Sequence, residues 1–171
     1  LKDLAHQSPR NYGVDRAVDY AYQTRRRFPK KTVFLTGEII HNPHVNTRLR
    51  DAGVRFLTDP DEDFATVTAE DVVILPAFGI TVEQLERLDR RGCTLVDTTC
   101  GSVLNVWKNV RQYARDGFTA IIHGKVRHEE TQATASQAEA IDGGRCLVVL
   151  DLAETADLCD HIRGRSTRDA F

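Results

Sequence analysis

Thr32-Val33-Phe34-Leu35-Thr36-Gly37-Glu38-Ile39-Ile40-His41-Asn42-Pro43-His44-Val45-Asn46 sets a short apolar strand shortly before a helix start. Residues 32–36 read as the strand, Asn42 as an N-cap and Pro43 as the first helical residue, where a missing N–H costs nothing. The helix continues over 45–52 and stops at Gly53. A strand feeding a helix through a short loop is the building unit of parallel α/β folds. Unpaired N–H groups at the helix start would lie beside His41, and such a place suits phosphate.

The alternation extends in both directions. Upstream, Val14, Ala17, Val18, Ala21, Tyr22 and Phe28 recur at helical spacing. Downstream, strands are expected over 54–57, 72–77, 94–97, 118–122 and 146–150. Between them, Thr81-Val82-Glu83-Gln84 is a capping box whose helix closes at Gly92. A helix after Cys100 carries Val103, Val106, Trp107, Val110 and Ala114 on one face, and further helices span about 129–138 and 153–162. The acidic stretch 59–62 reads as a loop. The fold class is therefore α/β, as two successive small lobes with mainly parallel sheets. The first lobe covers 1–99, and the second, incomplete, covers 100–171.

A chain of 171 residues with formal charge −2 can bury a core and offers no general polyanion surface. Arg25, Arg26 and Arg27 read as a solvated helix face. No apolar run reaches the roughly 20 residues that span a bilayer, and the start lacks the apolar core of a signal peptide, so the cytoplasm is the default location. The start at Leu1 and the stop at Phe171 lead us to expect truncation at both ends.

Cys93, Cys100, Cys146 and Cys159 show neither C-x-x-C pairing nor compact metal-ligand spacing. Cys93 and Cys146 open apolar runs, and Cys159 shares a helical face with Leu152 and Ile162, so these three read as small buried residues. Cys100 differs, because it lies among turn residues between a strand and a helix start, where a thiolate is favoured. A thiolate there could ligate a metal or, as an alternative, act as a nucleophile with His123 or His128, and the plain reading is a small residue in a tight turn. His128, Glu129 and Glu130 open a helix and combine a possible cation with a proton-bearing carboxyl. His41, Phe78, Cys100 and the 123–130 stretch each follow a predicted strand, which is the edge where open α/β sheets bind ligands.

Three ordered segments resemble the 4-hydroxy-3-methylbut-2-enyl diphosphate reductase (IspH/LytB) family. They are Gly37 to Asn46; Leu75-Pro76-Ala77-Phe78-Gly79 with Val96-Asp97-Thr98-Thr99-Cys100; and His123-Gly124-Lys125-Val126-Arg127-His128-Glu129-Glu130-Thr131-Gln132-Ala133-Thr134-Ala135-Ser136. The resemblance runs from about Gly13 to the C-terminus and suggests the first two-thirds of such an enzyme, with the last of three lobes absent. It implies reductive removal of an allylic hydroxyl to give isopentenyl and dimethylallyl diphosphates. It further implies a [4Fe–4S] cluster with Cys100 as a ligand, Glu130 as proton relay, and His41 and His128 at the diphosphate. Ferredoxin or flavodoxin would supply electrons, in the cytoplasm or in a plastid stroma.

His44 and His123 read as structural neighbours of those groups. Two departures stand out. Asn11 occupies the place of the family's first cluster cysteine, before Gly13-Val14-Asp15-Arg16-Ala17. Phe78 stands where many members carry a further diphosphate-binding histidine, although the plant and cyanobacterial branch, like this chain, has Ala-Phe-Gly there. A non-catalytic remnant keeping part of a phosphate-binding surface is therefore a second reading.

Overall fold

A computed structural model describes residues 13–165, so the expectations for Asn11 and the preceding segment lie outside the described residues. The chain divides into two compact units between Asn105 and Val106. In the first unit the elements are α1 (Gly13–Arg27), β1 (Val33–Leu35), α2 (Pro43–Asp51), β2 (Val54–Phe56), β3 (Val72–Leu75), α3 (Val82–Arg91) and β4 (Thr94–Asp97). The helix α4 (Gly101–Arg115) runs across the division, and β5 (Thr119–His123), α5 (Glu129–Glu139), β6 (Arg145–Val149) and α6 (Leu152–Ile162) complete the second unit.

All four strands of the first unit are parallel, in the order β2-β1-β3-β4. Val33 stands opposite Val54 on one side and Val72 on the other. Strand side chains alternate between faces, and here both faces are covered. Val33, Leu35, Val72 and Ile74 pack with Ala17 and Ala21 of α1 and Leu49 of α2. Phe34, Val73 and Leu75 pack with Leu88 of α3, Val67 and Ile80 on the opposite face. This is the physical reason that β1 and β3 are unbroken apolar runs rather than alternating ones.

The caps follow the sequence. Asn42 accepts from the His44 and Val45 N–H groups at the start of α2, with Pro43 in the first turn. Thr81 and Gln84 form the reciprocal capping box of α3, and Gly92 closes that helix at φ 69°, a conformation that suits glycine. Arg25, Arg26 and Arg27 fall in the last turn of α1, where cations complement the helix dipole. Arg26 and Arg27 face solvent, whereas Arg25 is half-buried and donates to the carbonyls of Ala52, Phe28 and Pro29.

The second unit has a two-stranded parallel sheet, with Thr119 opposite Arg145 and His123 opposite Val149. Its buried side chains include Trp107, Ala114, Ala133, Ala138, Val149 and Leu158. The Trp107 indole N–H donates to Thr134 Oγ1 at 3.2 Å, and the Arg111 guanidinium to Gln137 Oε1 at 2.8 Å. Much apolar surface remains open, with Phe118 62 % exposed and Ile121 52 %.

Two expectations are corrected here. Leu152 and Ile162 are 87 % and 66 % exposed, so the α6 face shared with Cys159 is not a buried one, and Leu158 is the fully buried apolar residue of that helix. Cys93, Cys146 and Cys159 are half-buried rather than enclosed. For α6 and Cys146 the cause is that a two-stranded sheet is too narrow to cover the helices packed beside it, whereas Cys93 lies in the turn before β4, an edge strand of the first unit's sheet.

Two parallel strands with so much exposed apolar surface form a weakly protected structure. In native-state hydrogen exchange on this chain, the β5 and β6 amides should exchange at least about tenfold faster than those of β1 and β3. Equal protection in both units would contradict this. No described helix is long and apolar enough to cross a membrane.

Candidate functional site

The first unit builds its site at the carboxyl ends of β1, β3 and β4. Beyond β1 the chain turns through residues 37–42 before α2, and this loop is pinned by Asn46, which is only 2 % exposed. Asn46 Oδ1 accepts from the Ile39 N–H, and its amide nitrogen donates to the Ile40 carbonyl at 3.0 Å. A polar residue on the inner side of α2 thus satisfies the backbone of the loop that carries His41. His41 itself is exposed, with Nδ1 3.2 Å from Glu38 Oε2. Its ring stacks on Phe78, with centroids 5.2 Å apart and planes 6° from parallel.

Phe78 is aimed by a tight turn after β3, in which the Gly79 N–H returns to the Pro76 carbonyl and Gly79 adopts φ 76°. Ala77 joins the two loops to Cys100. Its N–H donates to the Ile39 carbonyl at 3.4 Å, and its carbonyl accepts from the Cys100 N–H at 2.7 Å. Thr98, just before, bonds the Leu75 carbonyl through both its N–H and its hydroxyl. Cys100 is half-buried and its carbonyl accepts the first helical bond of α4, from the Leu104 N–H. A Cβ built on Gly13 would lie 2.6 Å from the Cys100 sulfur, so only glycine lets the start of α1 come so close. His41, Phe78 and Cys100 are therefore linked through one short segment, 76–79.

In the second unit an open groove of about 840 Å³ runs along β5 and the start of α5. Its polar end is lined by His123, Lys125, His128, Glu130, Thr131 and Thr134, and its apolar end includes Val106, Tyr113, Phe118 and Ile121. The N-cap of α5 is His128, with Glu129 and Glu130 in the first turn. Glu130 lines the groove and Glu129 does not. The His123 ring donates through Nε2 to the Leu150 carbonyl at 3.0 Å, so it ties β5 to the end of β6. His44 is exposed on the first turn of α2.

The donor set bears on the implied iron–sulfur cluster. Among the described residues, only Cys100 of the cysteines follows the carboxyl end of a strand. Cys93 lies before β4, and Cys146 lies within β6. Burial pushes both thiols up, away from the thiolate that binds iron. Cys159 sits in α6. The described residues thus fit one cluster ligand, not a complete set. Glu38, Asn46 and the Phe78 stack were missed by sequence reasoning; the available signal was an asparagine at the inward spacing of an amphipathic helix.

The family model described as LytB protein matches residues 4–167. The 4-hydroxy-3-methylbut-2-enyl diphosphate reductase of Synechococcus sp. (strain RCC307) is 49 % identical over 162 residues, covering 94 % of this chain and 39 % of that protein. The protein of the same name from Synechococcus sp. (strain WH7803) is 50 % identical with the same coverage. A solved (E)-4-hydroxy-3-methyl-but-2-enyl diphosphate reductase superimposes with a TM-score of 0.71 at 31 % identity, over 85 % of this chain and 50 % of that one. The E-1-hydroxy-2-methyl-but-2-enyl-4-diphosphate reductase from Plasmodium falciparum shares the fold, with a TM-score of 0.74 at 24 % identity, over 84 % of this chain and 42 % of that one. The chain spans 39 % of the length of these curated relatives, a smaller share than the two-thirds expected from the motifs. With a family model covering nearly every residue and relatives at half identity, this chain belongs to the LytB family.

Proposed function

We propose that the chain forms part of an iron–sulfur reductase that converts 4-hydroxy-3-methylbut-2-enyl diphosphate to isopentenyl and dimethylallyl diphosphates, the last step of the non-mevalonate isoprenoid pathway. The observation that carries this reading is the 49 % identity, over 94 % of this chain, to a protein bearing that enzyme's name. The placement of His41, Cys100, His128 and Glu130 at strand ends or helix starts supports it.

The net reaction takes up two electrons and two protons, breaks the allylic C–O bond and releases water. His41 and His128 would hold the diphosphate, each next to the N-terminus of a helix whose N–H groups favour anions. Glu130, in the first turn of α5, would carry protons to the departing hydroxyl. Cys100 would be one ligand of a [4Fe–4S] cluster, the rest coming from outside the described residues. When bound, that cluster supplies electrons and Lewis acidity. Ferredoxin or flavodoxin is the proposed electron donor and the cytoplasm the proposed location, or a plastid stroma if the source is plant-like.

A second reading rests on Asn11, which stands where the family has a cluster cysteine. A chain without that ligand would keep phosphate binding and lose reduction. The two readings part in one assay. A full-length protein carrying this chain, loaded with iron and sulfide without oxygen and given a chemical reductant, should consume one substrate for every two electrons. Substrate binding without consumption would leave the remnant reading, and absence of binding would sink both.

A further inference from the structure

His41 is held at one edge and on one face by residues that neither the motif nor the family relationship assigns a task. Its Nδ1 lies 3.2 Å from Glu38 Oε2, and its ring lies parallel to Phe78 at 5.2 Å, within the range of offset aromatic stacking. Both partners are themselves fixed. Glu38 belongs to the loop that Asn46 pins at Ile39 and Ile40, and Phe78, 9 % exposed, is set by the Pro76–Gly79 turn.

An ion pair as exposed as Glu38 with His41 contributes little to folding, so stability does not account for it. Phe78 brings no donor or acceptor, so it can act on a ligand of His41 only through the shape and electrons of its ring. We propose that Glu38 and Phe78 are positioning residues for His41: the carboxylate accepts from Nδ1–H, the phenyl ring fixes the imidazole plane, and the protonated ring thereby presents its Nε2–H to a phosphate oxygen. The proposal deepens the functional reading above and rests on its assignment of His41 to the diphosphate.

The test uses the 171-residue chain with nitrogen-labelled histidine, and inorganic pyrophosphate as the probe. Glu38→Gln should move the His41 ring-nitrogen resonances, because the Nδ1–H loses its carboxylate acceptor. Phe78→Leu, which keeps an apolar group of similar bulk, should remove the ring-current shift from the His41 ring protons. Each variant should weaken pyrophosphate binding by about tenfold, as loss of a partner that orients a ligating histidine does. Neither should weaken it further in a His41→Ala background, since residues acting through His41 have nothing left to act on.

The sign for Glu38 is decisive. Were it merely a nearby negative charge, its neutralisation would relieve repulsion and tighten the anion. Tighter binding by Glu38→Gln, unchanged His41 resonances in the variants, or undiminished effects in the His41→Ala background would each overturn the proposal. If the wild-type chain shows no pyrophosphate binding, the functional reading loses its phosphate contact. The resonances then decide the clamp alone: movement in both variants upholds the orientation of the ring, and no movement overturns it.

Discussion

Glu130→Gln, in a full-length reductase that carries this chain, is expected to lower turnover by about 10²–10⁴-fold, the usual contribution of a positioned proton donor. Glutamine keeps the length and planar end of the side chain but cannot pass on a proton. Glu130 lies in the first turn of α5 and lines the groove together with His128 and Thr131. Substrate should still bind, because the helix N-terminus and the histidine remain. The expected signature is therefore a fall in kcat at nearly unchanged substrate affinity, which marks an interaction made only in the transition state. Glu129→Gln is the internal control, since Glu129 shares the first turn of α5 but does not line the groove. Near-normal turnover by the Glu130 variant, or equal losses from both variants, would remove Glu130 from the proton path.

The elements that were legible in the sequence are those whose cause is local. β1 and β3 read as strands because burial on both faces demands unbroken apolar runs, and α2 and α3 because Asn42, Pro43, Thr81 and Gln84 are helix starts by chemistry. β5 slipped by one residue for a tertiary reason. Phe118 is apolar yet exposed and precedes the strand, whereas His123 ends it by pairing with Val149 and bonding the Leu150 carbonyl. The α6 face was misjudged because amphipathic spacing tells which residues would be buried together, not whether anything covers them.

The site divides in the same manner. Cys100 was visible as a turn cysteine between strand and helix, and His41 as the neighbour of a helix cap. The pairing of His41 with Phe78 was not, because it arises from two loops that only the parallel sheet brings together. Nor was Asn46, whose task is defined by backbone groups of Ile39 and Ile40 that are turned toward it only in the folded loop. Propensity and motif report where a group stands along the chain; its partners come from the packing.

Asn11→Cys should convert this chain from a poor iron–sulfur host into a better one. Asparagine offers a neutral amide, whereas cluster iron is held by thiolate. Gly13 approaches the Cys100 sulfur so closely that a Cβ there would clash, which brings the start of α1 beside the cysteine proposed as a cluster ligand. Position 11 is two residues from Gly13, and two residues of chain span at most about 7 Å, a reach that allows a cysteine there to share a cluster with Cys100. Partners that only orient a metal ligand change affinity by about 10–100-fold, so a direct ligand should slow iron loss to a chelator by at least the upper figure. The comparison is made on anaerobically loaded protein, by iron content and by the visible absorbance of the cluster. Cys100→Ser in the same background should reverse the gain, since the added thiolate then stands alone. Equal iron retention by Asn11→Cys and its parent would mean that position 11 is not a cluster position. The departure at Asn11 would then belong to a differently built N-terminus rather than to the loss of a ligand.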